Sequence, residues 1–385
     1  MNWIRLRTLC PVALVLVVMF ALVAPAAALD YVTLRRNGVE QTVSGRIVVT
    51  ITDGGVLLQS RDGMLWSIPK DEQVSKTKDD EPFVPLTAAA LGQQLLKELP
   101  PGFEVYATQN YLILHNTSKP YAQWCGALLE QLQKAFTNYW SRRDFDLKKP
   151  EFPMVALVFA DKNSYARFTR AELGDAADAI IGYYSLQTNR ITMYDLTGLE
   201  SRSTDKRTTT AQINAMLTRP EAERAVATVI HEATHQVALN TGLEARYADI
   251  PLWVSEGVAI YFETPDLKSA KGWGNIGGVN HVRLAGLREY SRRRGSDSLQ
   301  SLIVDDTRFR DTSTGPQAYA EAWALNYFLI RQRPKQYLEY TRLLATKQPL
   351  VVDTPETRLR EFCQCFGDDL KQLDIEFMRY MATVK

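Results

Sequence analysis

Histidine and cysteine are both scarce in this sequence, four of each in 385 residues, and neither sign of charge prevails, with 45 Lys and Arg against 44 Asp and Glu. Four cysteines exclude a disulfide-dense scaffold, and a chain of this length buries enough surface to fold without one. A bound metal would therefore serve chemistry rather than staple the fold. The balanced charge leaves no net field to hold a polyanion or an anionic membrane surface, which excludes bulk nucleic-acid binding. Glycine and proline are in no excess, at 21 and 17, and there is no internal repeat or low-complexity tract. With 45% hydrophobic and 23% charged residues the composition is globular, neither disordered nor fibrous.

The first 28 residues carry Arg5 and Arg7, then an apolar run from Leu9 to Val23, then Ala24-Pro25-Ala26-Ala27-Ala28. Charged, apolar and small residues in that order, with an A-x-A site, predict a secretory signal cleaved after Ala28. The alternative is an uncleaved membrane anchor, since roughly 20 apolar residues could just span a bilayer. Cleavage places the protein outside the cytoplasm, secreted or periplasmic, with no stable membrane insertion. It removes two arginines and no acid, leaving 43 basic against 44 acidic residues. Three cysteines remain, Cys125, Cys363 and Cys365, which permit one intrachain bridge from Cys125 or none. Cys363-Gln364-Cys365 has no second cluster to complete a metal site.

Residues 29–75 alternate short β-prone runs with the turn signals Asn37-Gly38, Asp53-Gly54-Gly55 and Asp62-Gly63, which predict a small β-barrel or β-meander. Residues 76–85 are charged and poor in large apolar side chains, so they read as a linker. Residues 86–385 form the long domain. It is β-rich to about 200, with a buried strand at 154–159 and a hairpin from Gly182–Ser185 to Arg190–Tyr194. From 205 it is helical. Strands first and helices later give an α+β class.

Two of the four histidines fall in His231-Glu232-Ala233-Thr234-His235, an HExxH motif. Thr218-Arg219-Pro220-Glu221 reads as a capped helix start and Gly242 as its stop, so residues 219–240 should be helical, with Val226, Val229, Ile230, Ala233 and Val237 as the apolar stripe. Positions i and i+4 share one helix face about 6 Å apart along the axis. Two imidazoles so placed can converge on one Zn²⁺. Downstream stands Trp253-Val254-Ser255-Glu256-Gly257-Val258-Ala259-Ile260-Tyr261.

HExxH followed by a helix carrying W-x-x-E-G-x-A-x-Y resembles the gluzincin zinc metallopeptidases, and the region after residue 100 is similar to their secreted peptidase MA-like branch. The resemblance implies one Zn²⁺ per chain, held by His231, His235 and Glu256, with 20 residues between the last two ligands. Small Gly257 and Ala259 would let the two ligand-bearing helices pack closely. It implies hydrolysis of peptide bonds in a peptide or protein substrate by a zinc-bound water, with Glu232 as general base. In the related aminopeptidases a later Tyr stabilises the oxyanion; Tyr319, 63 residues after Glu256, is the candidate here, against a packing role. Glu263 is a candidate to support a ligand from behind, and Arg190–Tyr194 could be the strand edge that pairs with substrate. The aminopeptidase G-x-M-E-N loop is missing, which favours an endopeptidase.

The competing reading is a catalytically inactive metallopeptidase-like adaptor or surface-binding protein whose β module carries the binding. His115 and His281 have no ligand spacing and read as structural or surface residues. Arg292-Arg293-Arg294 reads as a solvated helix end, Trp253 and Tyr261 as packing residues, and Met193 and Trp323 as core. The sequence leaves substrate, cleavage specificity and oligomeric state open.

Overall fold

The turn at Asn37-Gly38, with φ of 52° and 78°, folds β1 (Ala28–Arg36) back on β2 (Val39–Thr50) in register from Arg36↔Val39 to Asp30↔Gly45. Both residues take the left-handed backbone that a two-residue hairpin needs. β3 (Val56–Ser60) and β4 (Leu65–Ile68) continue the meander, and β5 (Gln73–Pro82) returns to the free side of β1. The order β4-β3-β2-β1-β5 makes an open antiparallel sheet, not a closed barrel. Its small core is Val32, Leu34, Val43, Val56, Leu58 and Ile68.

The structure, a computed structural model, describes residues 28–199, 209–264 and 276–385. The expected signal, except Ala28, and Cys10 lie outside them. Most of the expected linker at 76–85 is instead strand β5. An edge strand exposed along almost its whole length needs no apolar face, and Lys76 and Lys78 suit an edge that must not recruit further strands.

A short helix, α1 (Ala88–Glu98), leads into the second sheet. β6 (Glu104–Ala107) and β7 (Tyr111–His115) precede α2 (Lys119–Ser141). β8 (Met154–Phe159) and α3 (Lys162–Leu173) follow, then β9 (Gly182–Ser185) and β10 (Arg190–Tyr194). The order is β6-β7-β8-β10-β9, parallel at its centre with antiparallel edges. All six residues of β8 are buried, as a strand flanked on both sides must be. β10 lies between β8 and β9, so its hydrogen-bonding edges are both used. The expectation that Arg190–Tyr194 offers an edge to substrate is therefore wrong; the edge strand on that side of the sheet is β9.

The remaining chain is helical: α4 (Thr210–Leu217), α5 (Pro220–Thr241), α6 (Leu252–Phe262), α7 (His281–Ser291), α8 (Ser298–Val304), α9 (Thr307–Arg310), α10 (Gly315–Gln332), α11 (Pro334–Ala345), α12 (Pro355–Phe366) and α13 (Leu370–Thr383). α10 is buried over most of its length and packs on α6 and α7. Gly257 serves this contact: a Cβ there would stand 1.8 Å from Asn326 Nδ2, which donates to the carbonyls of Trp253 and Ala322. The small residue expected to bring the two ligand-bearing helices together thus admits α10 instead. Arg294 also departs from expectation. Its side chain is 6% exposed and donates to Glu321 and Asp374, tying the end of α7 to α10 and α13. Trp253, Tyr261, Met193 and Trp323 are buried, as expected. Cys125, Cys363 and Cys365 are free thiols, and no described helix is long and apolar enough to cross a membrane.

The β module docks through its turns. Leu65 N donates to the carbonyl of Gln187 at 2.8 Å, and Arg246 donates to the carbonyl of Gly63 at 2.8 Å. Arg190 and Asp62, both nearly buried, face each other at 3.5 Å.

Candidate metal centre

α5 starts one residue later than expected. Thr218 caps the end of α4, its hydroxyl donating to the Asn214 carbonyl, while Arg219 takes the N-cap position of α5 and its side chain does not cap the helix. Pro220 sits in the first turn, and Gly242 ends the helix in the left-handed conformation (φ 79°). Val226, Val229, Ile230, Ala233 and Val237 are all buried, which fixes the rotation of α5 and turns the HExxH face toward α6.

On that face His231 Nε2 lies 3.0 Å from Glu256 Oε2 and 3.2 Å from His235 Nε2, and His235 Nε2 is 3.7 Å from Glu256 Oε1. Ligand atoms about 2.0–2.1 Å from one tetrahedral ion stand about 3.3 Å apart, so this triangle has the dimensions of a zinc site. Two imidazole nitrogens and one carboxylate are also a donor set that zinc accepts, with a fourth position left open. The three residues sequence reasoning joined are therefore together in space.

The outer nitrogens are engaged from behind. His231 Nδ1 is 3.0 Å from Glu263 Oε2, and Asn280 Nδ2 donates to Glu263 Oε1 at 2.8 Å. His235 Nδ1 faces Ser255 Oγ at 3.4 Å, and Ser255 donates onward to Glu244 Oε2 at 2.9 Å. Both contacts favour the tautomer with hydrogen on Nδ1, which points the lone pair of Nε2 inward.

Electrostatics within the metal-free cluster follow from burial and close pairing. Burial opposes charge on His231, yet hydrogen bonds with Glu256 and Glu263 hold its pKa well above the usual imidazole value. Burial likewise opposes charge on His235, but the neighbouring Glu256 raises it. For Glu256, burial is outweighed by His235 and His231, which keep the carboxylate ionised far below its ordinary pKa. Glu232 is shifted the other way: burial raises its pKa, and the histidines only partly offset this. Its Oε2 accepts from the backbone N–H of Tyr184 on β9 at 2.9 Å.

A cavity of 340 Å³ opens beside the cluster, lined in part by Tyr184, Glu232, Glu244, Tyr247 and Tyr319. Tyr319 packs edge-on to Phe309 at 5.3 Å, with the Arg283 guanidinium 5.4 Å from its ring. Burial first, then the charge of Glu256, raises the pKa of its hydroxyl, which stays a donor at neutral pH. His115 is buried, with Nδ1 3.1 Å from the Thr117 carbonyl, and His281 is an exposed first residue of α7. Neither belongs to the site. Sequence reasoning missed Glu244, Asn280, the role of Ser255 and the Tyr184 amide. Only Asn280 carried a local signal, as a side-chain cap for α7.

Residues 225–351 are similar to a family whose model is described as a protein of unknown function (DUF1570). The matched stretch is about a third of the chain and contains His231, Glu232, His235, Glu256, Glu263 and Tyr319. No curated protein matches the chain.

Proposed function

We propose that the chain is an exported zinc-dependent peptidase of the gluzincin kind. The observation that carries this reading is the triangle of His231, His235 and Glu256, with Glu232 on the same helix face and an open cavity in front of it. A zinc ion, when bound, would supply Lewis acidity and lower the pKa of a water. Glu232 is the proton acceptor. Its raised pKa brings a carboxylate closer to the range useful for general base work, and the Tyr184 amide holds it in place. Glu232 then returns the proton to the departing amine. Tyr319 lines the same cavity as a protonated hydroxyl and would donate to the oxygen on which charge develops. The outer edge of β9 borders the cavity through Tyr184 and, apart from the amide that serves Glu232, gives an extended peptide a backbone to lie along.

Purified mature chain should contain about one zinc per molecule and hydrolyse a generic peptide in a chelator-sensitive way. Glu232→Gln should keep the metal and lose at least about 100-fold in kcat. A variant that cleaves as well as the parent, or a parent that binds no zinc, overturns the reading.

A further inference from the structure

Glu244 is a buried carboxylate that backs Ser255 behind His235 with one oxygen, while neither the zinc triangle nor the proton acceptor accounts for the other. It stands two residues beyond the glycine that ends α5, and the amides of Leu243 and Glu244 both donate to the Ala238 carbonyl, which pins its backbone. The residue is 5% exposed, and what it exposes it exposes to the 340 Å³ cavity. Oε2 is taken by Ser255. Oε1 has no hydrogen-bond partner among the described residues, and none of their Lys or Arg side chains forms an ion pair with Glu244. Arg246, two positions on, turns its guanidinium to the carbonyls of Leu186 and Gly63 instead. The other charged walls of the cavity are Glu232 and Glu256, so no fixed cation besides the two imidazoles faces Glu244.

A largely buried carboxylate whose second oxygen opens only onto the cavity has room there for a partner of opposite charge. The rest of the wall says what shape that partner has. Leu239, Tyr247, Ile250 and Leu252 share the cavity wall with the carboxylate. A long aliphatic stem ending in a cation suits a wall of that mixed character, apolar along its length and charged at its tip. We propose that Glu244 determines specificity at this site: its free oxygen receives a protonated amine or guanidinium of the substrate, so the peptidase acts next to a basic group. This deepens the peptidase reading and rests on it for the word substrate, but binding of the cation does not require turnover.

The test uses the zinc-loaded mature chain and a panel of blocked peptides identical except for Lys, Arg, norleucine or Glu at one position. A further norleucine peptide has a free amino terminus. Binding is measured by calorimetry in the Glu232→Gln background, with and without Glu244→Gln, and hydrolysis is measured in the parent. Glu244→Gln keeps an acceptor for Ser255, and its zinc content reports whether the site is intact. The expected result is Lys or Arg binding about 10- to 100-fold tighter than norleucine, as a charged hydrogen bond would give, falling to near equality in Glu244→Gln. If only the free-amine peptide is favoured and Glu244→Gln removes the preference, the proposal holds with the amino terminus as the cation. Equal binding of Lys, norleucine and free-amine peptides to the Glu232→Gln chain overturns it without reference to the second variant. A preference that survives Glu244→Gln also overturns it. A preference lost in Glu244→Gln with no peptide hydrolysed by the parent leaves the subsite standing and removes the peptidase reading.

Discussion

Glu263 Oε2 lies 3.0 Å from Nδ1 of His231, and so the last residue of the α6 turn reaches back to orient an imidazole carried by α5. Asn280, the cap of α7, holds the other oxygen of the same carboxylate. Two helix ends thus meet behind one imidazole. Glu263→Ala should weaken zinc binding about 10- to 100-fold, the usual cost of removing such a support. A competition titration with a chromogenic chelator measures it, and an affinity equal to that of the parent would show that the contact is incidental.

Zinc affinity should also rise with pH beyond the ordinary histidine range. In the metal-free chain both imidazoles have raised pKa values, because their bonds to Glu256 and Glu263 outweigh burial. A group raised in this way holds its proton above its normal pKa, so the ion must displace protons that an unperturbed histidine would already have lost. The apparent Kd therefore falls as pH increases through neutrality. The same titration between about pH 6 and pH 8.5 decides it; a curve already flat at the lower end contradicts the shift.

Tyr319→Phe removes the hydroxyl and leaves the ring against Phe309. With the donor gone, kcat should drop about 100-fold while KM and zinc content change little. Were KM to carry the whole effect, the tyrosine would be binding substrate rather than acting on the developing charge.

Glu321, fully buried on α10, accepts from Arg294 and from Arg308. Glu321→Ala takes a buried carboxylate from two guanidinium groups and should destabilise the chain by about 3–5 kcal/mol, visible as a lowered urea midpoint. A loss below about 1 kcal/mol would mean that the arginines re-pair, Arg294 with Asp374 alone.

Periodic features of the sequence proved legible. The α5 stripe, the αL stop at Gly242 and the i, i+4 spacing of His231 and His235 are local properties, and each is present where the pattern puts it. Glu256 could be placed because its helix carries a specific string. Features that depend on distant chain were not legible. Whether β10 or β9 is the edge depends on β10 inserting beside β8, more than 30 residues earlier, and nothing in Arg190–Tyr194 reports that. β5 has no apolar face because its partner lies on one side only, so hydropathy could not separate it from a linker. Arg294 looked like part of a solvated run because its partners are 27 and 80 residues away. Glu244 sits past a helix end, outside any period, and only the folded cavity wall gives it meaning.

The small amino-terminal sheet grips the two segments that border the cavity. Its Leu65 amide holds the carbonyl of Gln187, next to Leu186 in the wall, and its Gly63 carbonyl holds Arg246, between the wall residues Ala245 and Tyr247. A recombinant fragment beginning near α1 would retain His231, His235 and Glu256, yet its cleft would lose both of these braces. Trimming at that boundary would blunt selectivity between substrates sooner than metal loading, and a screen that began from such a fragment would misjudge what the intact molecule prefers.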